Sequence, residues 1–335
     1  MAYTTIDNPG LFFNTVLYTG NGTTDHAITG VGFQPDWTWL KKRSNADDHI
    51  LQDVVRTPTK YLISNSTTAE ATYSEGFKSF DSDGFTLGNA NNTNQNTHTF
   101  AAWNWKAGGS ASSNSDGDVT STVSANQTAG FSIATVSNLN SNSFGHGLGA
   151  EPELIINKRT DDTANWRVYF KGITSGKSLF LNTTAAETTE SSRISSANST
   201  TITVTGSGNG GTGGTGTAVY YSFKSIKGYS KVGTYTGNGN ANGTFVHTGF
   251  RPAWVMYKRS SASGNDWVIV DNKRDPINVC DEELYANLNS ATGDVDLLDF
   301  LSNGFKCRRS HNSQNGSGST YIYLAFAEHP FVTEG

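Results

Sequence analysis

One stretch of this chain is written three times. "GFQPDWTWLKKR" (Gly32–Arg43) returns as "GAEPELIINKR" (Gly149–Arg159) and again as "GFRPAWVMYKR" (Gly249–Arg259). Each copy places a glycine three residues before a proline, then an apolar run, then a lysine joined by a second cation. Pro35, Pro152 and Pro252 stand about a hundred residues apart. Solenoid and propeller repeats are far shorter, roughly 20–50 residues, so the repeating object is a whole folding module.

Other landmarks recur in the same order. "YTGNG" occupies Tyr18–Gly22 and Tyr235–Gly239, with the degenerate "TVSNLN" in the middle copy. After the cation pair come strand-like "HILQDVV", "NWRVYF" and "DWVIVDNKR", beginning near His49, Trp166 and Trp267. Next come "YLISNSTTAE", "LFLNTTAAET" and "LYANLNSATG", which turn at Asn65, Asn182 and Asn287. Each copy closes on an aromatic strand: "HTFAAWNWK", "TAVYYSFKS" or "TYIYLAFAE".

The local chemistry is that of strands. β-Branched and aromatic residues alternate with polar ones between Gly, Asn, Asp and Ser clusters. "SDGFTLG" and "SNGFKCR" put Asp-Gly and Asn-Gly before a strand, the residues a tight turn requires. Strong helix formers are few, and "DEELYANL" (Asp281–Leu288), the one tempting helical turn, aligns with strands elsewhere. The expected fold is all-β: three tandem antiparallel β-sandwich modules, jelly-roll or lectin-like, sharing one plan. The expected boundaries are 1–109, 130–227 and 228–335, with 110–129 a Ser/Gly/Asn-rich connector. Domains two and three, joined by a short aromatic junction, are expected to pack closely.

In the repeated stretch the proline stands where a strand can do without a ladder donor. The near-continuous apolar run reads as a strand covered on both faces. Alternation should send one cation of each pair, Lys41/Lys42, Lys158/Arg159 and Lys258/Arg259, to each side. This describes a scaffold rather than an anion site.

Searching for chemistry yields no assigned site. The Gly208, Gly210 and Gly213 spacing mimics a dinucleotide fingerprint, but a strand follows where a helix is required. "DSDGF" opens like a calcium loop at Asp81 and Asp83, yet Asn92 stands where the bidentate glutamate belongs. Asp116 and Asp118 are two carboxylates in a polar connector. His146 and His247 precede the glycine corner and read as hydrogen-bonded strand ends. Asp53, Asp271 and Glu75 are carboxylates without a selecting motif for glycoside chemistry. Trp37, Trp39, Trp103 and Trp105 align with apolar residues in other copies and read as core, with a sugar-stacking face on "WNW" as the lesser alternative. Trp166 and Trp267 read as packing residues. Cys280 and Cys307 lack zinc spacing and are expected to be free and buried. No catalytic, cofactor-binding or metal residue is therefore expected, and no cofactor.

The charged fraction is 16% and the net charge −5, with cations scattered. That excludes the basic stripe of a nucleic-acid binder. No secretion signal and no run of 18 apolar residues occurs, so a soluble protein made in a cytoplasm, without membrane insertion, is expected.

The "YTGNG", "GHGLG" and "GFxPxW" corners, the "NWRVY" strand and "GYSKVGTYTGNGNANGTFVHTGF" together resemble an uncharacterised tandem-repeat β-domain family of tailed bacteriophages, especially marine ones. The resemblance spans nearly the whole chain, from "YTTIDNPGLFFNTVLYTGNG" to "YLAFAEHPFVTEG". It implies a non-enzymatic virion structural protein, decorating a capsid or forming part of a head or tail fibre. Implied partners are other virion proteins in a homotrimeric assembly at the virion surface. A carbohydrate- or host-receptor-binding tail protein is the alternative, and a polysaccharide depolymerase a more distant one. The family supplies no site residues. The chain enters its first repeat at once, without a helical shaft, which favours a compact component over a long fibre.

Overall fold

The computed structural model describes residues 4–206 and 216–330. Almost all regular structure is antiparallel strand. The central strand of each repeat is the thrice-written stretch itself: Trp37–Lys42, Leu154–Arg159 and Phe250–Arg259. Each is hydrogen-bonded on one side to the closing aromatic strand (Thr99–Trp105, Thr217–Phe223 or Thr320–Pro330). On the other side lies the strand after the cation pair (Ile50–Asp53, Arg167–Phe170 or Val268–Asp271). Register is the same throughout: Trp37, Leu154 and Trp254 face Trp105, Phe223 and Phe326. Cys280–Tyr285, the segment that tempted a helix, is a strand.

Two faces of each large sheet are buried, as the unbroken apolar runs require. One face is covered by a smaller layer of the same repeat. In the first repeat this is a three-stranded sheet over Ile28, Leu40, Phe77, Phe85 and Ala102. In the middle repeat a second three-stranded sheet covers Phe144, Ile155, Ile202 and Tyr220. In the last, one eight-stranded sheet supplies both layers around Tyr257, Val268, Leu298 and Phe305.

The opposite faces meet one another. Trp37, Trp39, Trp103 and Trp105 of the first repeat, Ile156, Trp166 and Tyr221 of the middle one, and Trp254, Trp267 and Phe326 of the last form a single cluster. Aromatic contacts cross every boundary. Trp37 stacks on Tyr221 at 4.4 Å, Trp105 meets Trp254 edge-on at 5.6 Å, and Phe223 meets Phe326 at 6.1 Å. Each fully buried ring contributes roughly 1.5–3 kcal/mol from area alone, with about 0.5–1.5 kcal/mol more for a well-oriented aromatic pair. The repeats are layered modules whose backs build one shared core.

The connector expected at 110–129 is corrected by the structure. Ser112–Asn114 and Ser121–Asn126 are strands at the edge of the middle sheet, the second paired along Phe131–Ser137. Its Ser and Thr residues are strand-compatible, and Ser121 and Ser124 are buried with their hydroxyls bonded to Gly145 O and Gly109 O. Composition signals a flexible or surface-tracking connector; the open edge of the Phe131–Ser137 strand recruits the segment into the sheet.

Candidate functional site at the seams between repeats

The cation pairs behave as alternation demands, one to each side. Lys41, Lys158 and Lys258 are wholly buried and turn toward a neighbouring repeat. Lys158 Nζ donates to Thr67 O at 3.3 Å, Lys258 Nζ to Thr184 O at 3.4 Å, and Lys41 Nζ to Asn289 O at 3.1 Å. The three acceptors are equivalent positions, each two residues beyond the repeated turn at Asn65, Asn182 or Asn287. Backbone bonds follow the same rule: Ala164, Gly264 and Asp47 amides donate to those same three carbonyls. In return Glu70, Glu187 and Thr292 amides donate to Thr160 O, Ser260 O and Arg43 O. The middle repeat grips the first, the last grips the middle, and the first grips the last. The chain is a closed ring of three.

Burial pushes each of these lysines down from the usual 10.5 to about 8. Their second cations, Lys42, Arg159 and Arg259, take the other side of the strand and donate to Asp47, Asp161 and Asn265. Two further contacts repeat around the ring. Trp166 Nε1 donates to Ile63 O and Trp267 Nε1 to Phe180 O, both at 2.8 Å. At the third seam His49 replaces tryptophan, accepts from Trp39 Nε1 at 2.8 Å and packs beside Tyr285. The turn asparagines lock the same strand starts, accepting from the amides of His49, Trp166 and Trp267.

Asp53 and Asp271, the carboxylates considered for glycoside chemistry, are sealed inside. Each accepts from an arginine three residues on, Arg56 at 2.6 Å and Arg274 at 2.7 Å. Each also accepts from the next repeat: Tyr221 Oη to Asp53 at 2.7 Å, Trp103 Nε1 to Asp271 at 3.0 Å. The corresponding pair in the third seam is Leu324 with Phe170, both in the shared core. Acceptor and donor change together to an apolar pair, which leaves no buried polar group unmatched. These are seam fasteners.

The remaining candidates are dispersed. Asp81 accepts from Ser79 and Thr86 of its own hairpin, and Asp83 from the Gly30 and Gly32 amides of the glycine corner before the first central strand, so both "DSDGF" carboxylates are engaged within the first repeat. Asp118 accepts twice from Ser143, which lowers its carboxyl below the usual range. Glu75 is half-buried beside Lys78. His146 is buried, accepts from Leu148 N and bonds Asn198 O, and burial holds it below the ordinary histidine value. His247 is exposed on a strand end. Trp103 and Trp105 are buried, so "WNW" presents no exposed platform. Cys280 and Cys307 are free and buried, each pushed up to about 12 by burial. Gly208, Gly210 and Gly213 lie outside the described residues. Among the described residues no group of three His, Cys, Asp or Glu side chains is placed to hold a metal.

What the seams do provide is cavities, one at the start of each central strand. Glu153, Lys171 and Val232 line one of about 180 Å³ between the middle and last repeats. Asp36, Gly109 and Gln127 line one of about 430 Å³ between the first and middle. Asp36 Oδ2 accepts from Gly109 N at 3.2 Å, and burial raises its carboxyl. The third, about 300 Å³, lies where the last repeat closes on the first, lined by Asn8, Thr15, Asn272, Lys273 and Glu328 among others. The sequence reading passed over Thr15 and Asn272. The signal was there: each is a polar residue in a register position that other copies fill differently.

No curated protein and no solved structure matches the chain. One family model does match, over residues 8–330, which takes in all three repeats and every seam between them. On that coverage the chain belongs to the family described as a domain of unknown function, DUF7483.

Proposed function

We propose that the chain is a non-enzymatic structural module of a tailed-bacteriophage particle, made in the host cytoplasm and displayed on capsid or tail. The observation that supports this best is where the repeated polar groups are spent. The lysines and the two Asp–Arg pairs fasten one repeat to another, while the turn asparagines tie strand to turn within each repeat. A chain whose recurring charges serve assembly of its own core is suited to a rigid building block. Its partners are then other virion proteins.

The homotrimer implied by the resemblance would be a trimer of closed rings, since the threefold core already exists within one chain. Fixed-stoichiometry detection in purified particles, with the mass of the isolated protein in solution, tests the reading. Absence from intact particles ends it. The second reading, recognition of a host-surface glycan, draws its support from the cavity at the ring's closing seam.

A further inference from the structure

The three seams are built alike, and one of them breaks the pattern. Thr15, Ile133 and Val232 are equivalent, since each lies opposite Trp103, Tyr221 or Leu324 in the closing strand. Val54, Lys171 and Asn272 are equivalent too, each following the residue opposite Trp37, Leu154 or Trp254. The seams are therefore Ile133 with Val54, Val232 with Lys171, and Thr15 with Asn272. The architecture closes with aliphatic residues at the first strand position twice, so it does not demand a hydroxyl there.

Yet at the closing seam Thr15 is 4% exposed and Asn272 is 8% exposed, and neither Thr15 Oγ1 nor Asn272 Oδ1 has a partner. A buried polar group left unmatched is costly, and native proteins keep few of them. Both residues line the same cavity of about 300 Å³. That is the lower end of the size range of small-molecule sites, which combine a shaped wall with a few placed polar groups.

The chemistry narrows the ligand. Asn272 Oδ1 only accepts, so it calls for a donor; Thr15 Oγ1 donates and accepts. The rim holds Lys273 and His329 against Glu328, which is paired with Arg251 at 2.6 Å. That pairing leaves exposed Lys273 as a rim charge that Glu328 does not offset, while the inner groups Thr15 and Asn272 are uncharged, which suits a neutral ligand. Neighbouring groups that alternately donate and accept are what adjacent hydroxyls of a sugar ring offer. We infer that the cavity between the first and last repeats binds a neutral saccharide unit, with Thr15 and Asn272 as its inner hydrogen-bond partners. This inference rests on the glycan-recognition reading of the same cavity and not on the chain being a particle component.

The full chain, isotope-labelled, is titrated with a panel of neutral mono- and disaccharides while its amide resonances are followed. At least one sugar should shift Asn14, Thr15, Asn272 and Lys273, and co-crystals should place its hydroxyls on Thr15 Oγ1 and Asn272 Oδ1. Thr15→Val and Asn272→Leu should each weaken binding about tenfold, the loss of one good hydrogen bond. Lys171→Ala, at the corresponding cavity, should change nothing. Thr15→Val should melt no lower than the parent, because its new methyl replaces an unmatched hydroxyl. Seam resonances that stay still across the panel, or equal sugar binding by both variants, overturn the inference. So does a shift produced by a simple amide such as N-methylacetamide and by no sugar, which would assign the cavity to peptide.

Discussion

Consider Lys158→Met. Lys158 is wholly buried, and its ammonium meets the carbonyls of Thr67, Arg159 and Asp162 but no carboxylate. Burial lowers it from the usual 10.5 to about 8. A folded pKa below the unfolded one means that, between those values, the unfolded chain binds more protons. Stability must then rise with pH across that window. Working the two titrations through, one such lysine adds about 1 kcal/mol to the unfolding free energy between pH 8 and 9. Lys41 and Lys258 share the environment and the shift, giving roughly 3 kcal/mol for the ring. Cys280 and Cys307 oppose this, since unfolded thiols ionise near about 8.5 while the folded ones hold their protons, removing about 1 kcal/mol together. The parent chain should therefore gain about 2 kcal/mol over that interval, and Lys158→Met about 1 kcal/mol. Urea unfolding at pH 7, 8 and 9, followed by tryptophan fluorescence, measures it. The slope is diagnostic, because methionine also removes the carbonyl bonds and shifts the absolute value. Parallel pH curves for parent and variant would refute the reasoning.

Three further outcomes follow from the seams. Tyr221→Phe should cost about 1–3 kcal/mol by removing a donor to buried Asp53; in the Asp53→Phe background, which copies the Phe170 seam, the same change should cost much less, as a double-mutant cycle would show. Trp166→Phe should destabilise by about 2–3 kcal/mol, combining a lost bond to Ile63 O with a cavity in the shared core, read by thermal melting. Native protein should leave Cys280 and Cys307 unlabelled by a thiol reagent at pH 8, with both reacting after urea. Rapid labelling in the native state would contradict their burial.

Much of the fold was legible because repetition supplies its own controls. The strand at Cys280–Tyr285 was recoverable, against its helical look, only by aligning it with the other copies. The two directions taken by each cation pair followed from strand periodicity. The free, buried cysteines followed from their spacing. In contrast, "DSDGF" gave a motif-like signal whose carboxylates are held by Ser79, Thr86, Gly30 and Gly32. The pairing of the 110–129 connector into the sheet was not legible, because Ser and Thr serve equally in a tether and at a sheet edge, and an open edge nearby decides between them.

From sequence alone came the all-β character, the three copies and the burial of both faces of each central strand, since these depend on patterns of two and of about a hundred residues along one chain. The tertiary structure alone decided that the copies close into a ring, that Lys41 reaches Asn289, 248 residues on, and that Thr15 and Asn272 line one cavity at the closing seam. Those pairings join residues far apart in sequence, and no local period records which distant carbonyl a buried ammonium will find.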